Sequence, residues 1–581
     1  MVTPTKEVSA NKLAHQDKLV SEMEKELGLA ADHPEDDEVL LLSPEDIVAN
    51  LKAKKSGWTS ERVTIAFIRA ACAAHRKTNC LTEGPRSTRS RSFAVLFREA
   101  LADARAQDAA FKASGKAEGA FWGLPSSFKD TYNIKGTDTS LGCSIHCYDP
   151  TTEEADEGGL VKLFRKGGGF PYAKTNIPQT LLAFECSNPV FGTSTNPYSS
   201  ARTPGGSSGG EAALVTLRGT PLGWGSDIGG SLRIPAAYSG CVGLKPTVGR
   251  WPAAGTRKII QGFDGIKPVV GPMARTVAEI EFASRAMINL VNEEIAEGKF
   301  LAEYVIPLPW REAKLAPKLK IGYWVDDGLV KTSPACARAV HESVAKLREL
   351  GHDVSEFRPP IPIWQALKIF SALSSAEGYK QLLGNLGPDP MEPSMQLVTL
   401  GTRLPSFVTS LAATIVRLLL KDQLFGEIMS ASKPKSAAEY WDWTAARNDY
   451  IEAFYKAAWE EEQYDFILSP VQAVPALEHG RTKELSPLAI HTIFYNVLDS
   501  TVGVVPITRV DPDKDAAPAD YTAGSTGSWL LEKRVYGGDD PAYDATKMAG
   551  LPVAVQVAGR RWDEERVIAF MRVLEDNMGY K

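Results

Sequence analysis

The sequence predicts an α/β protein, one large domain behind a helical N-terminal arm. From Gly123 to about Pro246, glycine, serine and proline cluster between short apolar runs such as GGFPYAKTN and GTPLGWGSD. That pattern suits strands ending in loops that turn sharply into helices. Near the C-terminus, GLPVAVQVAG (550–559) reads as a buried strand, Asp563 as a capping residue and EERVIAFMRVLEDNM as the helix that follows. Longer helical patterns fill the part after residue 315, and no internal repeat or Pro/Ser-rich linker divides the chain.

Taken in order, residues 1–40 form the arm, charged and with Leu19, Met23 and Leu27 four apart on one helical face. The main domain spans 41–581. Ser43-Pro44-Glu45-Asp46 starts a helix with proline at its first position, and Thr59-Ser60-Glu61 starts another that runs into VTIAFIRAACAAH. GPRSTRSRSF (84–93) interrupts as a polar, arginine-rich loop and reads as a solvated insertion in an acidic chain. LPSFVTSLAATIVRLLLKDQLFGEIM (404–429) reads as a helix with Phe407, Leu411, Ile415, Leu418 and Leu419 on one face and Arg417 and Lys421 beside them. Roughly 17 apolar-rich residues, interrupted by Arg417, are too short for a comfortable membrane span. A core helix and an interfacial helix dipping into a bilayer both remain open.

Composition narrows the function classes. Of 581 residues, 44% are hydrophobic and 23% charged, as in an ordinary globular protein with ample length for a core. A net charge of −6 gives no global electrostatic case for nucleic-acid binding. Seven scattered cysteines read as reduced thiols of an intracellular protein. Cys143 and Cys147 flank His146, but with no second ligand cluster they do not read as a metal site. The polar start MVTPTKEVSANKLAHQDKLV lacks a signal peptide's apolar stretch. The expected location is intracellular, cytoplasmic or peripherally membrane-associated, with no cofactor.

Three segments carry chemistry. TPGGSSGGEAALV (203–215) packs glycines and serines against a helix start. Such a loop could cradle phosphate, but a P-loop needs GK[ST] after its glycines, and Glu211 stands there instead. Gly205-Gly206-Ser207-Ser208-Gly209 also fits the esterase elbow G-x-S-x-G, with His479 and His491 as candidate partners, yet the polar NPYSSARTP before it is a poor strand. The second segment, GWGSDIGGSLRIPAAYSG (223–240), places Ser231 after Ile228-Gly229-Gly230, a turn whose N–H groups could converge as an oxyanion hole requires. The third, GLPSSFKD (123–130), ends on Lys129.

In order and spacing these segments resemble the amidase signature family. Ser207 and Ser231 stand 24 positions apart (207 to 231), the spacing that family uses, and SDIGGSLRIPAA and CVGLKP extend the likeness. TNIPQTLLAFECSNPVFG, NVLDSTVGVVPITRVDPDKD and GLPVAVQVAGRRWDEE look like its fatty acid amide hydrolase and fungal acetamidase branch. The resemblance spans roughly residues 40–575. It implies a large twisted mixed sheet flanked by many helices. It implies Ser231 as acyl-accepting nucleophile and Ser207, on a cis peptide, as the bridge to Lys129. Backbone N–H groups of Ile228, Gly229, Gly230 and Ser231 would form the oxyanion hole, with Ser208, Asp227 and Arg233 holding the loops. Ser226 replaces a threonine common in relatives, a departure of little expected consequence.

The chemistry agrees with these roles. A serine needs a base to attack and a leaving amine needs a proton, and an ammonium cannot accept one. Lys129 must therefore be neutral at rest, which burial favours. In fatty acid amide hydrolases the segment equivalent to 404–429 is a membrane-binding cap, which favours fatty acyl amides or N-acylethanolamines as substrates. Short or aromatic amides, and an esterase built on Ser207, are the alternatives. A peripheral membrane contact and a homodimer stay open. An ammonia-passing amidotransferase subunit would share the Ser-Ser-Lys loops, but nothing here looks like a partner-docking module.

Overall fold

The computed structural model describes residues 4–28, 33–82, 95–299 and 305–580. The arginine-rich stretch 84–93 lies outside the described residues. Both predicted helix starts are used. The Ser43 hydroxyl accepts from Asp46 N at 3.1 Å and caps Pro44–Lys52, and Thr59 accepts from Arg62 N at 3.0 Å to cap Ser60–Thr78. Asp563 sits at the N-cap of Glu564–Met578, but its carboxylate makes no cap bond and pairs with Arg566 at 3.1 Å. That helix packs on the sheet through Phe570, stacked on Phe466 with ring centroids 4.5 Å apart.

Eleven strands join in one mixed sheet. From edge to edge they are Leu81–Thr82, Phe170–Thr175, Pro125–Lys129, Gly223–Asp227, Val269–Ala274, Val242–Lys245, Val502–Arg509, Pro552–Ala558, Phe466–Pro470, Lys320–Tyr323 and Asp353–Glu356. Phe170–Thr175, Pro125–Lys129 and Gly223–Asp227 run parallel to one another, as do the last three strands, and the middle is antiparallel. Every residue of Pro125–Lys129 and of Pro552–Ala558 is buried, because helices cover both faces. The whole forms a single large α/β domain.

The N-terminal helix Pro4–Glu26 buries Leu19 and Met23 and lies along the short edge strand, where Gln16 Nε2 donates to Leu81 O at 2.6 Å. Covering an edge in this way removes unpaired backbone groups from water. The 404–429 stretch is not one helix. Ser406–Leu418 and Gln423–Ala431 form a hairpin broken where Lys421 takes a left-handed conformation and Asp422 caps the second helix by accepting from Phe425 N at 2.9 Å. Gly426 allows the close approach, since a Cβ there would stand 3.0 Å from Ala413 O. A core-helix reading fails for the first helix: Phe407, Leu411, Ile415, Leu418 and Leu419 are all exposed, Phe407 by 73% and Leu419 by 74%. Among the described residues no helix is long and apolar enough to cross a membrane.

Candidate active site

Parallel pairing brings the site together. Ser127 and Phe128 pair with Gly223 and Trp224, so the strands Pro125–Lys129 and Gly223–Asp227 end at the same edge of the sheet. Loops beyond strand ends in such sheets are where sites are built. Lys129 closes the first strand and Ser226-Asp227 the second, and the turn Ile228-Gly229-Gly230-Ser231 then leads into helix Arg233–Ser239. The loop 203–208 arrives from the side and enters helix Gly209–Thr216.

Lys129 is fully buried. Its Nζ donates to Ser207 Oγ at 2.7 Å, Ser226 Oγ at 2.9 Å and Ser226 O at 3.4 Å. Ser226 is therefore a direct partner of the lysine, a larger part than its sequence suggested; a hydroxyl is what the position requires. Among the described residues no carboxylate pairs with Lys129, and burial pushes its pKa down to about 7 against the pull of the Asp227 charge. The Gly206–Ser207 peptide bond is cis. Ser208 N donates to Ser231 O at 3.1 Å, joining the two loops. The Ser231 side chain is half-buried and faces the same cavity as Gly206, Ile228 and Gly229. Its hydroxyl forms no hydrogen bond to Ser207 in this structure; catalytic contacts of this kind commonly tighten only around substrate.

Asp227 and Arg233 organise the turn from beneath. Asp227 Oδ1 accepts from Gly230 N at 2.8 Å, Arg233 Nη2 at 3.0 Å and Asn496 Nδ2 at 2.8 Å; Oδ2 accepts from Leu232 N at 3.1 Å and Arg233 Nε at 3.0 Å. Burial alone would raise this carboxyl, but the Arg233 guanidinium holds it well below the usual carboxylate range. The Gly230 N–H, expected in the oxyanion hole, is thus bonded to Asp227. The N–H groups of Ile228, Gly229 and Ser231 make no backbone bond among the described residues.

Sequence reasoning missed Thr492, Asn496 and Gln556. Thr492 Oγ1 donates to Gly229 O at 2.7 Å, while Arg233 reaches Thr492 O at 2.9 Å, Asn496 Oδ1 at 2.6 Å and Gln556 Oε1 at 3.3 Å. A Cβ on Gly230, where φ is +124°, would stand 2.1 Å from Thr492 Oγ1, so the turn fits against this helix only with glycine. The available signal was local: Thr492 and Asn496 are four apart in the largely apolar helix Ile490–Leu498 and share one face.

The esterase elbow is ruled out by what surrounds Ser207. No strand precedes it, its hydroxyl is bonded to Lys129, and both histidines are engaged elsewhere: His491 lies 3.0 Å from Asp327 and His479 3.4 Å from Glu185. His146 bonds Asn385 Oδ1 at 2.7 Å.

The cavity above Ser231 is walled by apolar side chains, among them Phe184, Leu367, Phe370, Phe425, Ile428 and Met429. No Asp, Glu, Lys, Arg or His lines it among the described residues. Phe425, Ile428 and Met429 belong to the second helix of the exposed hairpin, so the hairpin is also part of the cavity wall.

These features match known proteins along nearly the whole chain. The Amidase family profile matches residues 62–568. The chain is 33% identical over 546 residues to fatty-acid amide hydrolase 1 of Sus scrofa, covering 93% of this chain and 86% of that protein. It is 31% identical over 568 residues to an acetamidase of Aspergillus oryzae, covering 93% and 92%. A solved fatty acid amide hydrolase superposes with a TM-score of 0.80 at 26% identity, covering 100% of this chain and 91% of that one. The chain belongs to the amidase family, in its amidase-signature form. It is an amide-hydrolysing enzyme.

Proposed function

We propose that this enzyme hydrolyses amides with a sizeable apolar acyl chain, fatty acyl amides and N-acylethanolamines among them, through an acyl-enzyme on Ser231. The uncharged, mainly apolar cavity above Ser231 carries this reading, since a charged acyl group would lose its hydration there without an opposite charge, although hydroxyls such as Ser371, Ser432 and Thr482 also line it. The similarity to fatty-acid amide hydrolase 1 supports it.

In the proposed reaction Ser207 passes the Ser231 proton to neutral Lys129, and Ser231 Oγ attacks the amide carbon. The N–H groups of Ile228, Gly229 and Ser231 receive the developing oxyanion, while Gly230 anchors the turn through Asp227. The C–N bond breaks as the proton returns through Ser207 to the departing nitrogen, leaving an acyl ester on Ser231. Water, deprotonated along the same path, releases the carboxylic acid and regenerates Ser231. Ser208, Asp227 and Arg233 hold the loops. The exposed apolar face of the 406–418 helix is the proposed membrane contact and acyl entry side.

The test is a hydrolysis panel from acetamide through aromatic amides to oleamide and N-acylethanolamines. The expected result is a kcat/KM that rises with acyl length. A maximum at acetamide would overturn the lipid reading in favour of the short-amide activity that the acetamidase similarity also allows.

A further inference from the structure

Beneath the site lies a carboxyl that the proposed mechanism does not use. Glu211 opens the helix Gly209–Thr216 and is fully buried. Its Oε1 accepts from Ser127 Oγ, and its Oε2 accepts from Thr175 Oγ1 at 2.6 Å. It has no cationic hydrogen-bond or salt-bridge partner among the described residues, whereas the other buried carboxylate of the site, Asp227, is matched by Arg233. The place is built to hold it: a Cβ on Gly223 would stand 2.5 Å from Glu211 Oε1, so the strand beside Lys129 is glycine where the carboxyl lies. Ser127 and Lys129 are two apart on one strand and point to the same face, about 6.6 Å apart along it. The carboxyl that Ser127 holds therefore lies within Coulombic range of the Lys129 ammonium.

We propose that Glu211 is a positioning residue that tunes the charge state of Lys129, on top of burial and the fixed charge of Asp227. An ionised Glu211 stabilises the ammonium, and a protonated Glu211 releases Lys129 as the free amine the reaction needs. The inference rests on the assignment of Lys129 as the base. The remaining neighbours cannot take over this part. Burial pushes the thiols of Cys80 and Cys241 up to about 12 and that of Cys186 up to about 11, and raises Tyr132 and Tyr172 well above the usual phenol range, so all five are neutral near pH 7. Asp227 is ionised and faces Lys129, but its charge is fixed by Arg233. Burial also raises Glu211 to about 7, against the hydrogen bonds from Ser127 and Thr175, which places its titration beside that of Lys129 at about 7. Loss of the Glu211 charge therefore falls in the same pH range as loss of the Lys129 proton, and the state of one biases the other.

The experiment is the pH profile of kcat/KM for an aryl acylamide with the wild type, Glu211→Gln, Ser127→Ala and Lys129→Ala. Removing the negative charge disfavours the ammonium, so the acid limb of Glu211→Gln should move lower, by up to about one pH unit for one screened charge at this range. Ser127→Ala keeps the carboxyl but withdraws a donor that favours its ionised form, so its limb should move the same way by less. A structural role for Glu211 would lower kcat without moving the limb. Limbs of both variants coincident with wild type, or shifted upward, overturn the proposal. If Glu211→Gln does not accumulate as folded protein, Ser127→Ala decides by the same criterion. Lys129→Ala separates the two layers: its inactivity alongside unmoved limbs overturns the role of Glu211 alone, whereas near wild-type activity overturns the base assignment beneath it.

Discussion

The strand ends that carry Lys129 and Asp227 and the hairpin at 406–431 invert the usual placement of polar and apolar groups. At the strand ends a lysine, two carboxyls and an arginine are fully buried, and each is met by a specific hydroxyl, amide or charge. On the hairpin, a row of large apolar side chains stands largely in water. Buried polar groups need partners and an exposed apolar row needs a reason. The first arrangement fits the proton transfer proposed for Lys129, and the second fits the membrane contact proposed for the hairpin.

The largest expected effects lie at the buried end. Lys129→Met should lower amide turnover by on the order of 10³-fold or more, the range of a general base together with the positioning it provides. In the wild type the acid limb of kcat/KM should fall near pH 7, with activity rising with pH as Lys129 loses its proton. The stability sign follows from the same depression. Between about 7 and the ordinary lysine value of 10.5 the unfolded chain holds a proton the folded chain lacks, so stability rises with pH across that window. Lys129→Met removes this term and should raise the unfolding free energy near pH 7 by on the order of a few kcal/mol, seen as a higher Tm. A Tm that falls at pH 7 and keeps the wild-type pH slope would break the assignment of a neutral buried lysine.

Asp227→Ala probes the matched pair. It leaves Arg233 buried beneath the turn without its carboxylate, which should cost about 3–5 kcal/mol of stability. Chemical denaturation at constant m-value reads this directly, and a loss below about 1 kcal/mol would show that the ion pair does not hold the turn.

The smallest expected change in stability is on the hairpin. Serine at Phe407, Leu411 and Leu418 should alter unfolding free energy by less than about 1 kcal/mol per site, since most of each residue is exposed. Liposome co-sedimentation should fall sharply in the same triple variant, because each apolar side chain inserted into a bilayer contributes about 1.5–3 kcal/mol. Retention of full liposome binding, or no binding by the wild type, would remove the membrane from the comparison.

Much of this was legible beforehand. The two serine loops, the lysine strand and the buried strand at 552–558 each carry a local signature: glycine before a helix start, or a short run with apolar residues. The shared apolar face at 407–419 followed from helical spacing, but its exposure did not, because spacing left a core helix open; nor did the break at Lys421, because a left-handed lysine and a capping Asp422 leave little trace in an apolar stretch. Thr492, Asn496 and Gln556 stayed hidden because they lie some 260 to 330 positions from the turn they hold. Glu211 was read only as an argument against phosphate; that it is buried between two hydroxyl-bearing strands depends on sheet order.

By itself the sequence determined the chemistry at hand: which hydroxyls, which amine and which flexible turn could meet in one reaction, because those residue types and their local backbone are encoded within short segments. The tertiary structure decided the protonation and aim of those groups. Burial lowers the Lys129 pKa to about 7, Asp227 takes a hydrogen bond from Gly230 N, and the hairpin sets apolar surface at the cavity wall. Desolvation and long-range contact act between distant segments, so they exist only once the sheet has brought its strand ends together.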